Sequence, residues 1–316
     1  MEIIDTHCDV LWKLAAANGK LSFRNSPELD VNLERLQAGR VKVQAFAIFV
    51  DPELDSNREQ WAQALKQVRY FKEEVLAQPE IVQVRTWEEV ANVPEGKIGA
   101  MLTLEGCSPI GNSLERLEML LDDGVMITSL VWNEGNLCAD GIRQKRGAGV
   151  SDFGFKVIEK CNERGVWLDV SHISDAGFWD VLQSATHVMA SHSNARAVCG
   201  NKRNLTDEQI QALISHDGLL QLVFCPDFVK GDETTHAADL TVTIDDLMKH
   251  VAHIIKLGGA KNLGLGSDFD GIETHVLHLE NASQTKNLLS EIAKAYGEEV
   301  AKDVAGKNFV AHVTKK

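Results

Sequence analysis

The chain has 316 residues, 44% hydrophobic and 25% charged, and carries a net charge of −14. That composition belongs to an ordinary globular protein with a large core and excludes a disordered chain. The acidic balance, without a basic patch, argues against nucleic acid as a partner and leaves small molecules as the expected ones.

The first apolar run, residues 3–7, ends in His-Cys-Asp: His7 and Asp9 stand two apart with Cys8 between them. Residues 41–50 (VKVQAFAIFV) read as a second strand, and residues 58–77 follow it with apolar side chains at helical spacing. Residues 97–104 (KIGAMLTL) lead into a helix over 113–122, and residues 125–132 (VMITSLVW) into one over 153–164. Residues 166–171 (VWLDVS) precede a helix over 176–184, and residues 187–191 one over 206–216. The last strands are 219–224 (LLQLVF) and 263–266 (LGLG), the second trailed by a long helical tail from residue 282. Eight strands alternating with helices and no linker predict one domain over 1–316, a (β/α)8 TIM barrel. An open doubly wound sheet would require a glycine-rich phosphate loop after the first strand, which is absent.

The six cysteines show no C-x-x-C pair, which excludes a zinc ribbon and fits reduced thiols. The start, MEIIDTHCDV, has no basic region followed by an apolar one, and no run reaches about 18 apolar residues. A cytoplasmic protein with no membrane partner is therefore expected.

Catalytic side chains of such barrels sit at the C-terminal ends of strands. His7 and Asp9 end the first predicted strand, Glu105 the third, His172 the fifth, His192 the sixth and Asp268 the eighth. On a strand, residues two apart share a face, so His7 and Asp9 can bind one ion together. Three histidines and three carboxylates exceed one open site and suit two metals about 3.5–4 Å apart, with a hydroxide between them. Glu105 is the natural bridge, and Asp268 is free to act as general base. Asp268 and Asp270 in GSDFDG share one face, and the spacing leaves open which of them faces the ions. The competing structural roles are buried histidines or an ion pair, with Ser171 or Ser191 as a helix N-cap. The other histidines (187, 216, 236, 250, 253, 275, 278 and 312) read as solvated or structural. Arg196, Lys202 and Arg203 form a basic segment that can fold over the barrel mouth.

The motifs DTHCDV, TLEGCSPIGNSLERLEML, LDVSHISDAGFWDVL, ASHSNARAVCGNKRNL, LGLGSDFDGI and GKNFV run from end to end, and with them the chain resembles the membrane (renal) dipeptidase family, the M19 metallopeptidases of the amidohydrolase superfamily. The resemblance implies two Zn²⁺ per subunit. His7 and Asp9 would hold the first, His172 and His192 the second, and Glu105 would bridge them. It also implies Asp268 as the proton-handling carboxylate and Arg203 as the group that holds the substrate's terminal carboxylate. Dipeptides would be the substrates, L,D or D-containing ones among them, and a homodimer is expected.

The family's carbonyl-binding histidine has no counterpart: the stretch reads SLVWNEGN, with Trp132 at that position and Asn133 after it. Trp132 or Asn133 would then meet the substrate carbonyl, or the metal alone would polarise it. Alternatively the substrate is a lactam, ester or other small amide, or the chain binds without turnover. The loops 132–150 and 226–239 are expected to set side-chain preference.

Overall fold

A computed structural model describes residues 1–54, 56–231 and 240–315. His236 and residues 232–239 of the second expected loop lie outside the described residues. Among the described residues nine parallel strands form one sheet: β1 (Ile3–Asp5), β2 (Val41–Phe49), β3 (Ile81–Val84), β4 (Ile98–Glu105), β5 (Val125–Ser129), β6 (Trp167–Asp169), β7 (Val188–Ala190), β8 (Leu219–Leu222) and β9 (Leu263–Leu265). Because β2 also pairs with β4, and β1 with both β2 and β9, eight of the nine close into a barrel. These eight are the strands read from the sequence, and the fold is the expected (β/α)8 barrel.

The ninth, β3, was not expected. It pairs with the first half of β4, over Ile98–Met101, while β5 takes the second half, over Leu102–Leu104. Its four residues, IVQV, are only half-buried and carry too short a pattern to stand out. The helix Ile244–Lys256 was also missed, although Leu247, Val251 and Ile254 bury one of its faces. The tail from residue 282 is not one helix. It divides at Gly297, whose φ of +91° favours glycine, into Thr285–Tyr296 and the shorter segments that follow.

Side chains start the other helices where the sequence offers them. Ser113, Ser151, Ser174 and Thr206 accept from backbone N–H groups of the first turns that follow them. Neither Ser171 nor Ser191 caps a helix. No helix of the described residues is long and apolar enough to cross a membrane. All six cysteines are buried, and none of them forms a disulfide.

Parallel register makes residues on neighbouring strands share a face, and this sorts the barrel interior into levels. Ile4, Val43, Ala45, Met101, Trp167, Met189 and Leu219 form an apolar floor, joined by Phe309 and Val313 of the last helix, Asn308–Val313. Above the floor a small space is lined by Thr6, His7, Thr103, Glu105, Asp169 and Ser191. The outer faces of the strands pack against the helices through the larger core.

The strand ends approach so closely that Gly266 has no room for a side chain: a Cβ there would fall on the carbonyl oxygen of Ser191. Gly266→Ala must therefore push β9 away from β7, and a cost of about 1–3 kcal/mol is expected. A thermal melt beside the wild type reads it; an unchanged midpoint would show that the two strand ends yield freely.

Candidate metal centre

β1 stops at Asp5, so His7 and Asp9 do not stand on a strand as their spacing suggests. The chain stays extended all the same: Cys8 bridges Phe269 in parallel, Asp9 N donates to Phe269 O at 2.9 Å, and Asp268 N donates to His7 O at 3.2 Å. Alternation therefore survives past the strand. His7 Nε2 and Asp9 Oδ2 meet at 3.5 Å, while Cys8 Sγ donates to Ala45 O at 3.2 Å on the opposite side. Asp9 also precedes the helix Val10–Ala17, but its carboxylate makes no capping bond there.

Glu105 is the last residue of β4. Gly106 follows with φ +83°, a conformation that suits glycine, and donates its N–H to Ser129 Oγ at 2.8 Å. The chain can thus turn away at once and leave the carboxylate over the barrel. His172 and His192 follow β6 and β7 and complete the ring of groups.

The two oxygens of Glu105 face different neighbours. Oε2 lies 3.6 Å from His7 Nε2, whereas Oε1 lies 2.8 Å from His172 Nε2 and 3.5 Å from His192 Nε2. Asp268 Oδ1 stands 3.8 Å from His7 Nε2. The His7 and His192 rings stack with centroids 3.8 Å apart. Three overlapping groups of potential ligands result: His7, Asp9 and Glu105; Glu105, His172 and His192; and His7, His192 and Asp268.

Direct contacts within this cluster do not satisfy it. His7 Nε2 and Asp9 Oδ1 are buried with no hydrogen-bond partner, and the Nε2 atoms of His172 and His192 face each other at 2.8 Å. Unpaired buried acceptors are costly. Imidazole nitrogens and carboxylate oxygens converging in this way fit a divalent cation of the zinc type, which would satisfy all of them at once.

The charges left to themselves disturb one another. Burial opposes charging His7, but the Glu105 and Asp9 carboxylates outweigh it and hold the ring well above its usual pKa. Burial also works against Glu105, yet the charge of His7 and the close approach of the imidazoles keep it well below. Asp268 is pushed well above the carboxylate range by burial, with Asp9 and Glu105 adding repulsion. His172 falls to about 3 through burial and the nearby Arg203, and His192 falls well below its usual value through burial and the charge of His7.

The choice between the two aspartates of GSDFDG is settled by what each touches. Asp270 accepts from the N–H groups of Asp30 and Val31, each at 2.9 Å, and pairs with Lys13 at 2.9 Å. It anchors the loop before the helix Leu33–Gly39, and Asp268 alone faces the cluster. Both have positive φ, +65° and +69°, which Asp tolerates better than most residues. Among the other histidines, His250 bonds Ala195 N and Val229 O, and His275 pairs with Asp30, so both have structural partners.

Asn133 Oδ1 accepts from His172 Nδ1 at 2.9 Å and so orients a ligand group. Trp132 packs against Phe49 and His172, with centroids at 5.1 and 5.9 Å. Arg203 is buried rather than spread over the mouth: it donates to Ser171 O, to Ser193 Oγ at 3.2 Å and to His192 O at 3.1 Å. Its Nη2 also lies 3.2 Å from His172 Nε2, and its Nε has no partner.

A cavity of about 670 Å³ opens above the cluster, with Asp9, Glu105, His172 and Asp268 at its base and Trp12, Phe49, Trp132 and Phe228 among its walls. Arg143 lines it, while Arg203 does not. Sequence reading missed Arg143 because a lone arginine in a long loop carries no spacing signal.

The profile of the membrane dipeptidase family, peptidase family M19, matches residues 1–316. An uncharacterised dipeptidase of Schizosaccharomyces pombe is 28% identical over 313 residues, 92% of this chain and 74% of the relative. Among solved structures, dipeptidase AC, a metallopeptidase of family M19, superposes with a TM-score of 0.89 at 24% identity, over 99% of this chain and 98% of its own. A Rhodobacter sphaeroides metallopeptidase, solved with a phosphinate mimic of the dipeptide L-Ala-D-Ala, gives 0.89 at 22% identity, over 99% and 98%.

A cation that neutralises Asp9, Glu105 and Asp268 binds the folded chain alone and must stabilise it. Removal of metal with a chelator is expected to lower the thermal midpoint, and adding Zn²⁺ back to restore it. A midpoint indifferent to both treatments would count against a metal in this cluster.

Proposed function

We propose, for a chain that belongs to the membrane dipeptidase family (peptidase family M19) and is thereby a metal-dependent dipeptidase, that it works with two Zn²⁺ and accepts L,D as well as L,L dipeptides. The observation that carries the two-ion reading is the division of Glu105, with Oε2 toward His7 and Oε1 toward His172 and His192. His7 and Asp9 would hold one ion, His172 and His192 the other, and Glu105 both. When bound, such a pair supplies Lewis acidity and a water acidified toward neutral pKa.

The chain's own groups do the rest. Asp268 faces the cluster from the β9 side and is held there by the bond from Asp268 N to His7 O. It takes the proton of the attacking water and returns it to the leaving amine. Arg203 supplies the positive charge that recognises the free carboxylate, supported by its Nη2 beside His172 and its unpaired Nε. Trp132 and Phe49 form an apolar wall that flanks the substrate and excludes water. Acceptance of a D-residue at the second position is supported by the L-Ala-D-Ala mimic bound by the Rhodobacter sphaeroides relative.

Elemental analysis should find two zinc equivalents per chain, and a panel of L,L and L,D dipeptides should show turnover in both series. Asp268→Asn should keep both equivalents while kcat falls by about 10²–10⁴-fold; near-normal turnover would remove Asp268 from that role. Arg203→Lys, which keeps the charge and loses the fork, should raise KM about tenfold or more with a smaller effect on kcat. An unchanged KM, with Arg143→Gln raising it instead, would move carboxylate recognition to the cavity wall.

A further inference from the structure

The serines that precede the two histidines, Ser171 and Ser191, both turn toward Asp169, the last residue of β6. Ser171 Oγ donates to Asp169 Oδ1 at 2.7 Å, and Ser191 Oγ donates to Oδ2 at 2.6 Å. The backbone N–H groups of Ser171 and Ser191 reach Oδ1 at 3.0 and 2.8 Å. One buried carboxylate thus receives four hydrogen bonds from the ends of two adjacent strands.

A hydroxyl has a single proton to give. Ser191 has given its proton to Asp169, so toward His192 Nδ1, 2.7 Å away, its oxygen can only accept. Ser171 Oγ is likewise committed to Asp169 as a donor and accepts from His192 N at 3.1 Å. The proton of the His192 ring therefore sits on Nδ1, and Nε2 keeps a bare lone pair, facing Glu105 Oε1 and His172 Nε2.

We propose that Asp169, acting through Ser191, is the positioning residue that fixes His192 in its Nδ1–H tautomer and so presents Nε2 to a divalent cation. The inference rests on reading His192 as a metal ligand. His172 reaches the same state by a different device, the Asn133 amide oxygen on its Nδ1. The interposed serine lets a single aspartate both join β6 to β7 and set the ring. Such partners of ligand histidines tune affinity as well as orientation.

The pair can be tested by a substitution that reverses the proton order. In Asp169→Asn, the amide oxygen stays where the three donors meet on Oδ1, and the amide NH₂ then faces Ser191 Oγ. The Ser191 proton is released toward His192 Nδ1, and the ring must carry its own proton on Nε2, pointing into the site. Long-range ¹H–¹⁵N spectra of histidine-labelled protein after chelation report the tautomer, and competition with a chromophoric chelator reports Zn²⁺ affinity.

The expected results are Nδ1–H in the wild type and Nε2–H in Asp169→Asn, with affinity down by about 10–100-fold. Ser191→Ala should show both tautomers and a smaller fall. An Nε2–H wild type overturns the proposal, as does a loss of affinity with the tautomer unchanged, which would mark the pair as structural only. If Asp169→Asn fails to fold by its thermal transition, Ser191→Ala decides: a ring still wholly Nδ1–H overturns the proposal. A wild type that binds no zinc removes the metal reading itself, and the tautomer result stands apart from it.

Discussion

The structure is organised around a buried carboxylate that no proton-bearing group fully answers. Glu105 sits at the centre of His7, His172 and His192, with Asp9 and Asp268 close by, so that three carboxylates and three imidazoles crowd one end of the barrel. Hydrogen bonds alone leave buried polar atoms unpaired, as at His7 Nε2 and Asp9 Oδ1. Removing water from several charges is costly unless something of opposite sign is present. A cation is the simplest such group, and the rest of the fold can be read as what holds these atoms in place for it.

Holding them requires strand ends that do not drift. Thr6 Oγ1 stands 2.9 Å from Ser191 O and 3.1 Å from Leu265 O and shares its one proton between them, and Asp5 accepts from His7 N and Ser267 N at 3.2 and 2.9 Å. Asp169 does the same for β6 and β7, and the missing side chain at Gly266 lets β9 approach β7. These contacts lie between the apolar floor and the ligand atoms. The floor in turn is closed by Phe309 and Val313, so the last residues of the chain support its first ones.

Much of this was legible in the sequence because its signals are periodic or local. Eight barrel strands were visible as apolar runs, and the ligand types at their ends needed only the rule that barrel chemistry gathers there. His7 and Asp9 do meet, for a reason that differs in part from their spacing: the strand is shorter than expected, and the bridge from Cys8 to Phe269 preserves the alternation instead. What stayed hidden depends on contacts between distant segments. No spacing tells Asp268 from Asp270; the difference lies in Lys13, Asp30 and Val31, each more than 200 residues away along the chain. Arg203 looked like a mouth residue because its segment is basic, yet backbone carbonyls of Ser171 and His192 draw it inside. The strand β3 escapes because four half-buried residues carry too short a pattern to stand out, whereas the helix Ile244–Lys256 does carry an apolar face at helical spacing.

Position 132 shows how the same scaffold can alter its chemistry without disturbing the metal cluster. A tryptophan there cannot accept a proton and offers only an indole N–H. Its ring instead continues an aromatic surface from Trp12 through Phe49 to His172. The neighbouring Asn133 is already spent on His172, so the two residues take separate places: the tryptophan packs against Phe49 and His172, and the asparagine orients the His172 ring. Polarisation of a substrate carbonyl is then left to the cation that the cluster would hold, or to the Trp132 indole N–H and the unpaired Arg203 Nε. The acidity of the site, costly in isolation, is what a bound cation would answer.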